Sequence, residues 1–234
     1  MQKFKASILS TRPIDETLIK QAKSKDILVD AISFIEIEAI DSIEVYEEIE
    51  NALLESATVV FTSMNAVEAI AAHLDDEYKP DWKIYCIGNT TKKLVQKYFG
   101  EELVGGFALD ATELAETIIE DDITDEVIFF CGDKRRDELP SLLNEQGIEV
   151  NEIEVYQTNL LQHKVEKNYD GILFFSPSAV QSFFSTNKLN DKTILFAIGN
   201  TTASVIKKYS TNKIIVADEA GKSNLIEKAI EYFI

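Results

Sequence analysis

The chain of 234 residues contains three arginines, and all three fall in one kind of place. Arg12 follows the apolar run Ala6–Leu9, and Arg135 and Arg136 follow the run Val127–Cys131, whereas the lysines are scattered. The guanidinium fork suits recognition of carboxylates and phosphates. In a chain of formal net charge −18, confining arginine to such loops points to an anionic ligand. Local ion pairs to Asp15, Asp133 or Asp137 are the plainer alternative. Comparable loops are rich in hydroxyls: Ser10-Thr11-Arg12, Thr62-Ser63-Met64-Asn65, Gly88-Asn89-Thr90-Thr91, Ser176-Pro177-Ser178 and Gly199-Asn200-Thr201-Thr202. Where such a loop opens a helix, unsatisfied backbone N–H groups and the helix macrodipole form an anion site. Simple helix capping is the structural alternative for each of these hydroxyls.

Other chemistries lack their residues. His73 and His163 stand alone, which argues against a histidine-based metal site and most Ser-His-Asp arrangements. Cys86 and Cys131 lie inside apolar runs and read as small buried hydrophobes. No G-x-G-x-x-G or P-loop occurs, which disfavours dinucleotides and nucleoside triphosphates. The excess of 41 acidic over 23 basic residues opposes binding to nucleic acid and to anionic membranes. No apolar run reaches the ~18–20 residues of a membrane helix, and the opening MQKFKASILSTR lacks a secretory signal's apolar stretch. A cytoplasmic protein is expected.

The elements that must position these loops come in two copies. Ile172-Leu-Phe-Phe-Ser-Pro-Ser-Ala-Val180 echoes Val59-Val-Phe-Thr-Ser-Met-Asn-Ala-Val67, and Ile198-Gly-Asn-Thr-Thr202 repeats Ile87-Gly-Asn-Thr-Thr91. More weakly, the region of Ile8-Leu9 resembles that of Phe129-Phe130. A spacing above ~100 residues signals a duplicated domain-sized unit rather than a solenoid. Ten short runs rich in Val, Ile and Phe alternate with helical patterns, some opening on cap residues such as Ser63, Asn89, Thr112, Ser176, Asn200 and Ser223. This alternation predicts an α/β protein with two doubly wound parallel-sheet domains, flavodoxin-like and five-stranded each. Residues 32–40 and 152–160 alternate with period two and read as a paired ribbon. Two organisations fit: tandem domains (1–122, then 123–234), or a discontinuous domain of 1–34 and 160–234 around an inserted domain of 41–151, linked by 35–40 and 152–159.

Seven motifs in order resemble those of the uroporphyrinogen-III synthase family. They are Ile8-Leu-Ser-Thr-Arg-Pro13, Val60-Phe-Thr-Ser63 with Ala66-Val67-Glu68-Ala69, Ile87-Gly-Asn-Thr-Thr91, Phe130-Cys-Gly-Asp-Lys-Arg-Arg136 with Leu139-Pro140, Val155-Tyr-Gln-Thr158, Phe174-Phe-Ser-Pro-Ser-Ala179 and Ile198-Gly-Asn-Thr-Thr-Ala203. Asn65 departs from the pattern, since relatives often carry a basic residue there. The resemblance implies the discontinuous arrangement, with two α/β domains joined by a two-stranded ribbon around a cleft. It implies loss of water from the linear tetrapyrrole hydroxymethylbilane and closure to uroporphyrinogen III with the last ring inverted, in haem biosynthesis.

The resemblance further implies a lyase that uses no cofactor and no metal. Tyr156 matches the family's ribbon tyrosine and is the expected proton donor. Ser63, Thr91, Ser176 and Thr202 match positions expected to hold substrate carboxylates, and Arg12, Arg135 and Arg136 are expected to frame the entrance. The expected partners are the tetrapyrrole and the enzyme that produces it, with the protein a monomer. A non-catalytic two-domain binding or regulatory protein for an anionic small molecule is the competing reading.

Overall fold

The computed structural model describes residues 4–74, 79–121, 124–218 and 221–234. The chain opens with β1 (Ala6–Ser10), α1 (Glu16–Ser24) and β2 (Ile27–Ala31), then runs out along β3 (Ile35–Ala39). Its middle comprises α2 (Ile43–Leu54), β4 (Ala57–Phe61), α3 (Met64–Ala71), β5 (Trp82–Ile87) and α4 (Asn89–Tyr98). A 3-10 turn at Glu101–Leu103 leads to β6 (Val104–Ala108), α5 (Ala111–Asp121), β7 (Glu126–Gly132) and α6 (Glu138–Glu145). The long β8 (Glu149–Leu160) precedes β9 (Gly171–Phe174), α7 (Pro177–Thr186), β10 (Ile194–Ala197), α8 (Asn200–Tyr209), β11 (Ile214–Val216) and α9 (Lys222–Tyr232).

Two compact units result, one of Met1–Glu36 with Asn159–Ile234 and one of Ile37–Thr158. The tandem boundary considered at 122/123 lies outside the described residues. In the first unit the strands lie in the order β11-β10-β9-β1-β2, and in the second β3-β8-β7-β4-β5-β6. The pairs among β1, β2, β9, β10 and β11 are all parallel, as are those among β4 to β8. Matching β1 to β7, β2 to β8, β9 to β4, β10 to β5 and β11 to β6 superposes one order on the other. The two units thus share a spatial order while their chain orders are circular permutations.

Parallel strands covered on both faces need apolar residues at successive positions, because neighbours point to opposite sides. Val59 and Val60 divide between two cores in this way, as do Phe129 and Phe130. Leu9 and Ile8, and Phe174 and Leu173, do the same in the other unit. Each such buried side chain contributes about 1.5–3 kcal/mol of transfer free energy before entropy is counted.

Two expectations are corrected. The second sheet has six strands rather than five, because the predicted strand at 148–150 and the ribbon segment 152–160 form one continuous strand, β8, whose far edge is lined by β3. No Gly or Pro interrupts residues 148–160, so nothing in the backbone separates the two. Several helices also start one or two residues earlier than predicted. Ser63 and Ser176 do cap α3 and α7. The N-cap residues of α4, α8 and α9, however, are Gly88, Gly199 and Gly221. For α5, the Asp110 carboxylate accepts from the Glu113 N–H at 3.0 Å, where Thr112 was expected to cap.

Candidate active site

In open parallel sheets, ligands bind beyond the carboxyl ends of the strands where the strand order reverses. In the second unit that point lies between β4 and β7, which are neighbours although each leads outward in the opposite direction. A cavity of about 380 Å³ opens there, lined among others by Ser63 after β4 and by Lys134, Arg135 and Arg136 after β7. Tyr156 from β8 also belongs to its polar wall, as do Asp110 and Glu138, and Ile87, Phe129 and Leu139 supply apolar surface.

Tyr156 owes its place to backbone geometry. The β7–β8 register shifts between Cys131 and Gly132, so Gly132 faces Tyr156 where regular pairing would have brought Val155. The phenol ring lies directly over Gly132, and a Cβ built on that glycine would stand 2.3 Å from the ring's Cζ. One part of the half-buried ring packs on the core cluster that contains Phe61 and Phe130. The phenol O–H donates to Ser63 Oγ at 3.0 Å. Ser63 Oγ also accepts from the Asn65 N–H at 3.1 Å, which caps α3. With both acceptor positions of Ser63 occupied, its own proton is directed elsewhere.

The arginines differ from one another. The partly buried Arg135 is held by Glu152 through Nε and by Asp137. Its charge is therefore matched by two carboxylates, one of which, Asp137, was the expected local partner. Arg136 is exposed at the cavity. In the first unit, Arg12 follows β1 at the matching reversal point between β1 and β9. Its guanidinium carbon lies 5.6 Å from the centroid of the Phe175 ring, and burial lowers its pKa from the ordinary value. Ser10 Oγ anchors this loop by donating to the Arg12 carbonyl at 2.6 Å, and Thr11 Oγ1 donates to the Leu173 carbonyl at 2.7 Å. Ser176 Oγ accepts from the Ala179 N–H at 3.1 Å.

Thr91 and Thr202 are both buried, while Asn89, Thr90, Asn200 and Thr201 beside them are exposed. Their helices show no side-chain cap. The first helical bonds run from the Lys92 N–H to the Gly88 carbonyl and from the Ala203 N–H to the Gly199 carbonyl, both at 3.0 Å. The amides of residues 89–91 and 200–202 thus lie outside the helical ladder. At Thr91 and Thr202 the backbone amides at the helix starts are therefore open to a ligand at the carboxyl edge.

Ser63, Arg135, Arg136 and Tyr156 are brought together in one cavity; Thr91 lies in the same unit outside its lining, and Arg12, Ser176 and Thr202 belong to the first unit. Two participants escaped the sequence. Lys134 adjoins the arginine pair but lacked a distinguishing pattern. Glu152 lies on β8 while its partner Arg135 lies in the loop after β7, and sequence spacing carries no signal of such a pair.

A family model described as uroporphyrinogen-III synthase HemD matches residues 16–227. A curated relative from Saccharomyces cerevisiae, uroporphyrinogen-III synthase, is 26% identical over 208 residues, covering 75% of each chain. The crystal structure of uroporphyrinogen-III synthetase from Helicobacter pylori superposes with a TM-score of 0.68 at 16% identity, covering 97% of this chain and 99% of that one. A mutant uroporphyrinogen III synthase from Thermus thermophilus gives 0.67 at 14% identity, covering 97% and 98%. At these identities the two structures support the fold, which is α/β with two units built on parallel sheets.

Proposed function

The chain belongs to the uroporphyrinogen-III synthase family, and on that premise we propose that it converts hydroxymethylbilane to uroporphyrinogen III in haem biosynthesis. The observation that carries this reading is the Tyr156 phenol, donating to Ser63 at 3.0 Å inside a cavity flanked by cationic side chains.

The chemistry matches those groups. A substrate with eight carboxylates needs N–H, hydroxyl and cationic partners more than a nucleophile. In the second unit Lys134, Arg136 and the backbone amides of residues 89–91 are suited to hold carboxylates, and in the first unit the backbone amides of residues 200–202 are. Ser176 and Arg12 are suited to the same task in the first unit, and Arg135, pinned by two carboxylates, keeps its loop in place. Tyr156 turns its proton from Ser63 to the terminal hydroxyl, which leaves as water. Ser63 then donates to the phenolate oxygen in its turn, keeping its cap on α3. The resulting azafulvene is attacked by the substituted carbon of the last ring, giving a spiro intermediate that reopens and recloses inverted. The ring proton released on final aromatisation balances the one given to the hydroxyl, so the net change is loss of one water.

Unaided closure gives the uninverted isomer, so the protein must favour one conformation. Each tenfold of that preference corresponds to about 1.4 kcal/mol. We read the protein as a cytoplasmic monomer that receives its unstable substrate from the enzyme producing it. In support, no helix among the described residues is long and apolar enough to cross a membrane.

The test is incubation with freshly generated hydroxymethylbilane and separation of the isomers. Uroporphyrinogen III is expected, and a product no richer in it than spontaneous closure gives would overturn the reading. Tyr156→Phe is expected to lower turnover by about tenfold to a hundredfold with residual activity, in line with general-acid contributions. Wild-type turnover in that variant removes the phenol from the chemistry.

A further inference from the structure

We propose that Asp133 is a positioning residue for Tyr156, acting through its carboxylate as a surrogate for a missing strand carbonyl. The proposal rests on the catalytic reading of Tyr156, but the placement it asserts can be tested apart from that chemistry.

β7 ends at Gly132, opposite Tyr156, while β8 continues to Leu160. In a parallel ladder, the residue after Gly132 would donate its N–H to the Tyr156 carbonyl and accept from the Thr158 N–H through its own carbonyl. The Asp133 N–H does make the first bond, at 3.1 Å. The second is made by the side chain, as Asp133 Oδ1 accepts from the Thr158 N–H at 2.8 Å. The main-chain carbonyl is thereby released, and the chain turns away immediately, with the Arg135 N–H closing a turn on the Gly132 carbonyl at 3.0 Å.

One residue thus does two things. It holds β8 on both sides of residue 157, which fixes the backbone that carries the Tyr156 ring over Gly132. It also lets the chain leave the sheet one residue earlier, so that Lys134 and Arg136 line the cavity. The other oxygen, Oδ2, pairs with Lys134 Nζ at 2.9 Å, which steadies the carboxylate. Thr158 is buried, so water would be a poor substitute partner for its amide. Asp133 itself is outside the cavity lining, and its influence reaches the reaction only through Tyr156 and the loop.

Three substitutions separate acceptor position from charge. Asp133→Asn keeps an oxygen where Oδ1 stands and loses the charge. Asp133→Glu keeps the charge and displaces the acceptor by a methylene. Asp133→Ala removes both. Asn is expected to retain turnover within about twofold, while Glu and Ala lower it by about tenfold or more. In a Tyr156→Phe background, Asp133→Ala is expected to add less than about twofold to the loss in kcat, because in that step the two changes disable one group, while its effect through the Lys134–Arg136 loop falls on KM. Hydrogen exchange of the Thr158 amide gives a readout independent of activity: protection is expected in wild type and Asn, with exchange at least about tenfold faster in Ala.

Several results overturn the inference. They are unchanged Thr158 exchange in Ala, an active Glu variant beside an inactive Asn variant, or losses in kcat that multiply with Tyr156→Phe. A Tyr156→Phe variant with wild-type turnover would sink the catalytic reading alone, and the exchange measurement would still decide the placement.

Discussion

Cys86 and Cys131 sit on β5 and β7 with essentially no exposure, and burial pushes both thiols up to about 11. An unfolded thiol loses its proton near 9. Between about pH 9 and 11 the unfolded chain therefore binds fewer protons than the folded one, and stability falls as pH rises through that window. Below it both states are protonated and these thiols contribute no pH dependence. The phenols of Tyr85 and Tyr169 act in the same direction, since burial and then the carboxylates of Asp121 and Asp30 raise them. Thermal unfolding midpoints are accordingly expected to be flat from pH 7 to about 8.5 and to decline steadily above about 9. A disulfide-exchange reagent at pH 8 is expected to leave the native protein unmodified and to find two thiols after denaturation. Rapid reaction of either thiol in the native protein would show that its strand is more open than its burial indicates.

At the level of elements, the register shift between β7 and β8 decides where the phenol stands. Gly132→Ala would place a Cβ 2.3 Å from the Tyr156 ring carbon Cζ, and the ring cannot yield freely because its other contacts include the core around Phe61 and Phe130. The expected cost is about 1–3 kcal/mol of stability, as for overpacking elsewhere, with turnover falling toward that of Tyr156→Phe. Combined denaturation and isomer assays would check this, and an Ala variant equal to wild type in both would show that the ring is not fixed there. The same pairing marks the limit of what the sequence could reveal. The strands were legible because runs such as Val127–Cys131 are apolar at every position, which only a two-sided burial explains. The joining of the 148–150 run to the ribbon was not, since a period-two pattern says where side chains point and nothing about where pairing stops. Ser63 and Ser176 were legible as caps from their positions before helical patterns. Gly88 was overlooked because its role depends on a positive φ of 87°, and the exposed Asn89 beside it mimics a cap in composition. The register shift that sets Gly132 against Tyr156 left no local trace at all.

Across the whole molecule, charge is divided as unevenly as chain order. The unit of Ile37–Thr158 holds 29 of the 41 acidic residues and 8 of the 23 basic ones, a net of −21. The unit of Met1–Glu36 with Asn159–Ile234 has 12 acidic and 15 basic residues, a net of +3. The cavity with Lys134, Arg136 and Tyr156 belongs to the unit with the large negative charge, so its cations are a local exception in a repulsive field. Such a field lowers the stability of the compact state by self-repulsion and is screened over about 10 Å at 0.1 M salt. The two units should therefore respond differently to ionic strength, and the chain supplies its own reporter. The single tryptophan, Trp82, is buried at the start of β5 in the acidic unit, with its indole N–H donating to the Ala52 carbonyl at 2.9 Å. Raising sodium chloride from about 10 to 200 mM is expected to lift the unfolding midpoint seen by Trp82 fluorescence by about 4–6 °C, equivalent to roughly 1 kcal/mol. Far-UV circular dichroism, which averages both units, should shift less and give a transition that does not coincide with the fluorescence at low salt. A Trp82 midpoint that stays constant or falls with salt would mean that the acidic residues of this unit are compensated by pairing, and the large formal charge would then carry no cost to its fold.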